Sequence, residues 1–163
     1  MLVFTHGALV QDDWQLIADD APAPAAHALV RLPRWLAEAE TDAAVAAAGV
    51  VIHAGDDIDV PALKPARHPL VAIAFAAATD GRGFSQARLL RRRGYSGELR
   101  AIGAFNRDQL PFLFRCGFDA FELTAAEATG GYVASLDAMG LVYQSAADGA
   151  ATIRALRLAR HVG

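Results

Sequence analysis

Asp80-Gly81-Arg82-Gly83-Phe84-Ser85 opens the stretch that decides the fold, and Gly117-Phe118-Asp119-Ala120-Phe121-Glu122-Leu123 closes it. The apolar run Leu70-Val71-Ala72-Ile73-Ala74-Phe75 just before it reads as a buried strand. Asp80 to Gly83 break that pattern, and Ser85 is placed to cap a helix from Gln86 to about Arg93, with Ala87 and Leu90 toward the core. Gly94 is the expected left-handed stop, and Arg91, Arg92 and Arg93 fall in the last turn, where cations offset the helix dipole. Leu99 to Gly103 reads as the next strand. The helix after it has two candidate starts: Asn106 with Gln109 fits a capping box, whereas Asp108 as cap puts Pro111 in the first turn, where no internal hydrogen bond is expected of it. The later start is preferred. Asp119 to Leu123 then closes a series of strand, helix, strand, helix, strand, which argues for parallel strands with right-handed crossovers.

In such a sheet, ligands bind beyond the carboxyl ends of the strands. The loops there, Asp80 to Ser85 and Ala104 to Gln109, are polar in a chain that otherwise is not. The free N–H groups of a helix start, backbone made approachable by Gly81 and Gly83, the fork of Arg82 and the hydroxyl of Ser85 together suit a small oxyanion or carboxylate. The alternative is that Asp80 and Arg82 pair with each other and the glycines serve only the turn. Neither a Walker loop nor the Gly-x-Gly-x-x-Gly order of a dinucleotide turn is present.

Working outward toward the start, Leu2 to Phe4 and Ala8 to Val10 flank His6-Gly7 as a hairpin within residues 1–20, and Trp14 to Ile17 could add an edge strand. Asp19 to Ala26 is a linker or crossing loop. Ala28 to Leu32 reads as a strand, with Pro33 leading a helix to about Ala48 that Gly49 stops. Val50 to Ile52 is the next strand, and Asp56-Asp57-Ile58-Asp59 begins a short helical segment. Beyond Leu123, Ala125 to Met139 has a weaker helical pattern, Leu141 to Gln144 is a last strand, and residues 150–163 form an amphipathic tail helix or a partly disordered end. The expected architecture is one α/β domain over residues 1–163. Its sheet is a mainly parallel open one of repeated βα units, flavodoxin-like or like part of a barrel, with the N-terminal hairpin added. A chain of this length cannot close eight such units, which leaves room for a homodimer partner to complete or cover the sheet.

With 54% hydrophobic and 20% charged residues, the composition is globular. The net charge of −3 hides an asymmetry: residues 1–79 carry four basic and ten acidic side chains, residues 80–123 eight and five. The positive charge therefore sits at the proposed anion site. That favours a small acidic ligand or an acidic protein partner over nucleic acid, which usually demands a basic domain overall. Cys116 is the single cysteine and reads as a buried thiol, so no internal disulfide and no thiolate metal cluster is expected. The five histidines show no paired ligand spacing, and no metal is expected at the acidic run from Asp56 to Asp59. Without a signal-peptide pattern, a bilayer-length apolar run or a lipidation motif, a cytoplasmic location and no membrane contact are expected.

Asp80-Gly81-Arg82-Gly83-Phe84-Ser85-Gln86-Ala87-Arg88, then Gly94-Tyr95, Gly97-Glu98-Leu99-Arg100-Ala101, Arg107-Asp108-Gln109-Leu110 and Arg115-Cys116-Gly117-Phe118-Asp119-Ala120-Phe121 together resemble the bacterial family DUF934. The resemblance covers most of the chain. It implies a gene neighbourhood beside the haemoprotein subunit of sulfite reductase and a label of probable oxidoreductase. Residues carried over with the motif are Asp80, Arg82, Ser85 and Arg88 in the first block, and Arg100, Asp108 and Gln109 in the second. This chain departs from the family pattern in two places. Phe75-Ala76-Ala77-Ala78-Thr79 stands where the pattern has Phe-Pro-Lys-Phe, which removes a lysine beside the anion site, and Phe84 replaces a usual tyrosine.

Three functions follow as expectations. The first is an accessory protein of assimilatory sulfite reduction that binds the reductase, its electron donor or an oxyanion. The second is an enzyme acting on a phosphorylated or sulfur-containing small anion, clamped by Gly81, Arg82, Gly83, Ser85, Arg88, Arg100 and Gln109, with Asp80 or Asp108 as acid or base. The third is a structural or regulatory dimer whose arginines bridge subunits. An oxidoreductase label would require a flavin or nicotinamide, and the sequence carries no recognised fingerprint for either.

Overall fold

The computed structural model describes residues 2–5, 8–22, 26–59 and 68–129. Eight strands form one sheet: β1 (Leu2–Thr5), β2 (Ala8–Gln11), β3 (Gln15–Leu16), β4 (Ala28–Arg31), β5 (Gly49–His53), β6 (Leu70–Phe75), β7 (Glu98–Gly103) and β8 (Ala120–Leu123). Their spatial order is β2-β1-β8-β7-β6-β5-β4-β3. From β3 to β8 each strand lies parallel to the next in sequence, so the expected parallel series is present. The sheet as a whole is mixed, because β1 runs antiparallel to both β2 and β8 and builds the hairpin into the end of the parallel series. The parallel order contains no reversal, and the sheet curls into a half-barrel. A flavodoxin-like arrangement reverses strand order at a switch point, and this chain has none among the described strands.

Alternation along the strands sorts the side chains into two layers. Val50, Ile52, Val71, Ile73, Phe75, Leu99, Ala101 and Phe121 face the helices and pack with Leu32, Trp35, Val45, Ala87, Leu90, Leu110 and Leu113. Leu29, Val51, Leu70 and Ala72 pack together on the other face, joined by Trp14, Ala74 and Ile102. Burial on both faces is why Leu70 to Phe75 is apolar without interruption.

The helices depart from the sequence reading in instructive ways. Where one helix was expected from Pro33 to about Ala48, there are two, α1 (Leu32–Glu38) and α2 (Ala43–Ala47). Asp42 makes the break, since its carboxylate accepts hydrogen bonds from Ala44 N at 2.8 Å and Val45 N at 3.3 Å and so starts a new helix. Gly49 opens β5 instead of stopping a helix, and a Cβ there would lie 2.8 Å from Leu29 Cδ2. Helix α3 runs from Arg82 to Arg92, four residues earlier at its start than expected, and Ser85 lies inside it. Gly94 does adopt the left-handed conformation, at φ 86°. Before α4 (Leu110–Cys116), a single 3-10 turn over Arg107–Gln109 carries the Asn106/Gln109 capping box. The later start at Asp108 is thus corrected: the tighter turn satisfies the capping box and still leaves Pro111 in the first turn of α4. No helix forms over residues 54–59, and a short α5 (Ala125–Thr129) follows β8. The rest of the 125–139 pattern, the 141–144 strand and the tail lie outside the described residues.

Candidate functional site

The carboxyl ends of β5, β6 and β7 bring together His53, the 76–81 loop with the start of α3, and the 104–109 loop. Asp80 and Arg82 are joined to each other. Arg82 Nε donates to Asp80 Oδ1 at 2.9 Å, Arg82 Nη2 to Oδ2 at 2.8 Å, and the Arg82 backbone N–H to Oδ1 at 3.2 Å. One carboxylate therefore occupies both the guanidinium fork and an N–H of the first helical turn, the groups that recognise an external oxyanion. The side-chain hydrogen bond from Arg82 holds Asp80 below the usual carboxylate range, which favours the ionised form. The Arg82 side chain remains 66% exposed.

The two glycines differ. A Cβ on Gly81 would meet nothing within 4 Å, whereas one on Gly83 would lie 2.6 Å from Phe75 Cζ. Gly83 lets α3 settle onto β6, and backbone approachable from outside is found at Gly81 alone of the pair. Ser85, Arg88 and Asp108 are exposed, and Arg88 makes no hydrogen bond or ion pair among the described residues. Gln109 ties the two loops together by donating Nε2 to the Ala78 carbonyl at 2.8 Å, while Ala104 N donates to Phe75 O at 2.8 Å. Gly103, at φ 88°, allows that return, since a Cβ would come within 2.5 Å of Phe75 O.

Arg100 lies elsewhere. It is buried on the sheet face away from the helices, where Nη1 donates to Asp12 Oδ2 at 2.5 Å and Nε to Glu98 Oε1 at 2.8 Å. Glu122 lies in the same electrostatic neighbourhood, its carboxyl pushed up by burial against the opposing pull of Arg100. This is a charge cluster holding the hairpin region to β7, separate from the 80–85 loop.

Two residues missed by sequence reasoning lie at the rim. Gln86, 8% exposed, donates Nε2 to the His53 carbonyl at 2.9 Å and so pins the start of α3 to the end of β5. Its Oε1 and the Nε2 of His53 are buried and have no hydrogen-bond partner among the described residues. The acidic run beside them is engaged locally, with Asp56 Oδ2 accepting from His53 N and Asp59 paired to Arg93. An aromatic contact was also missed: Phe84 on α3 leans on Phe112 of α4 with ring centroids 4.9 Å apart, and Phe112 is 52% exposed. Cys116 is buried as expected, and burial pushes its thiol pKa up.

A family described as "Bacterial protein of unknown function (DUF934)" matches residues 49–154. The chain belongs to the DUF934 family. No curated protein and no solved structure matches it. The DUF934 match takes in β5 through β8 with α3 and α4, hence the whole rim just described, while the hairpin, β3, β4 and the first two helices precede it. Among the described residues of this DUF934 member, no helix is long and apolar enough to cross a membrane.

Proposed function

We propose that this DUF934 protein is a cytoplasmic accessory protein of assimilatory sulfite reduction, binding the reductase or its electron donor and taking a small oxyanion at the 80–85 loop. The pathway in this reading comes from what the family resemblance implies; the observation that supports its oxyanion site is the Asp80–Arg82 fork. It supplies a guanidinium and a helix-start N–H already arranged around a carboxylate, so an external oxyanion binds by exchanging with Asp80. The same pairing argues against Asp80 as a general acid, because a carboxylate held ionised has no proton to give. Asp108 is exposed.

Growth of a deletion strain on sulfate, sulfite, sulfide or cysteine as sole sulfur source tests the reading, with wild type or Arg82→Ala supplied in trans. Failure on sulfate and sulfite with rescue by sulfide, and no rescue by the variant, is the expected pattern. Normal growth on all four overturns the pathway assignment, and full rescue by Arg82→Ala overturns the role of the loop.

A further inference from the structure

Phe84, Arg88 and Arg92 recur every four residues along α3 and therefore form one stripe. Arg88 and Arg92 are exposed and have no hydrogen-bond or ion-pair partner among the described residues, although neighbouring Arg91 and Arg93 are both tied to carboxylates. Phe112 stands beside the stripe, in contact with Phe84 and more than half exposed. The α3–α4 ridge is thus the Phe84–Phe112 aromatic pair followed along α3 by Arg88 and Arg92. An aromatic anchor bordered by arginines is the composition of a protein-docking surface.

We infer that this ridge docks an acidic surface of a partner protein, with Phe112 entering an apolar recess and Arg88 and Arg92 meeting carboxylates. The inference rests on the accessory reading above and assigns the contact face that the reading requires. Charge selects the occupant. A net charge of −3 argues against nucleic acid.

Capture of purified sulfite reductase haemoprotein by immobilised wild type, Arg88→Glu/Arg92→Glu and Phe112→Ser tests this, alongside complementation of the deletion strain on sulfite. Thermal melts of all three proteins establish that they are folded. Wild-type capture should weaken steeply with salt, and the double charge reversal should lower it about tenfold or more and fail to complement. Phe112→Ser should weaken capture while keeping the salt dependence. Undiminished capture or full complementation by the charge-reversed protein overturns the docking surface and leaves the accessory reading standing. A deletion strain that grows on sulfite unaided, or a wild type that captures neither the haemoprotein nor the reductase's electron-donor protein, overturns that reading and the docking surface with it. Capture abolished by nuclease, or a wild-type dimer that Phe112→Ser dissociates, replaces the acidic partner with nucleic acid or a second copy and overturns the inference.

Discussion

Arg100 Nη1 lies 2.5 Å from Asp12 Oδ2, joining side chains 88 positions apart in a site where the two are only 4% and 12% exposed. Burial disfavours the charged arginine, but the hydrogen bond to Asp12 and the field of Glu98 outweigh it. Removing one member of such a pair leaves a buried charge with fewer partners. Asp12→Ala should therefore destabilise the fold by about 3 kcal/mol, read from urea unfolding. A loss below about 0.5 kcal/mol would show an exposed, weak pair instead.

Gly83 and Gly81 should respond oppositely to the same substitution. Gly83→Ala drives a methyl into the Phe75 ring and should cost about 1 to 3 kcal/mol. Gly81→Ala, at φ −77° with open space around it, should be neutral or slightly stabilising. Melting curves of the two variants side by side check the contrast, and equal destabilisation would refute it.

Asp80 should titrate below the usual aspartate range in a carboxyl-detected NMR experiment, and return toward it in Arg82→Gln. A folded-state pKa below the unfolded one means that the pair's contribution to stability is complete above the ordinary aspartate range and disappears as pH falls through the depressed value. An unshifted Asp80 in wild type would mean that the fork is open in solution.

Arg91 should matter more than its place at a helix end suggests. Its Nε donates to Gly117 O at 2.8 Å, its Nη1 to Tyr95 O at 2.8 Å and Gly97 O at 3.0 Å, and its Nη2 pairs with Asp119. Arg91→Ala removes the donor from three carbonyls and should cost about 2 to 4 kcal/mol, whereas Arg92→Ala should stay within about 0.5 kcal/mol. Parallel denaturant titrations separate them.

Cys116 should resist alkylation in the native protein and react readily in urea, since burial both hides the thiol and disfavours the thiolate. Rapid native labelling by iodoacetamide would show that α4 opens locally.

The central parallel series was legible because burial on both sheet faces leaves an unbroken apolar run such as Leu70 to Phe75, and because Gly94 marks a helix end by its backbone alone. The start of α3 was misread because Ser85 is a stronger capping residue by type than Gly81, which holds the N-cap position. Asp80 instead supplies the acceptor, reaching the Arg82 N–H from outside the helix. The alanine-rich run before Gly49 hid the break at Asp42, since high helix propensity on both sides masks a local cap. Of the candidate site, the Asp80–Arg82 pair was anticipated as one alternative. The placement of Arg100 with Asp12 was not, because a contact between such distant positions leaves no local trace.

The strand order also dictates how the sheet assembles. From β3 to β8, each strand pairs with the strand just before it in sequence, across connections of 11 to 22 residues. The hairpin is the exception: Leu2 lies opposite Leu123 and Phe4 opposite Phe121. Although β1 and β2 are made first, one side of β1 must wait unpaired until the end of the parallel series exists. The β1–β8 pairing therefore closes the largest loop of the sheet, and a chain that makes it last should fold at an unchanged rate but unfold faster when Phe4 or Phe121 is truncated.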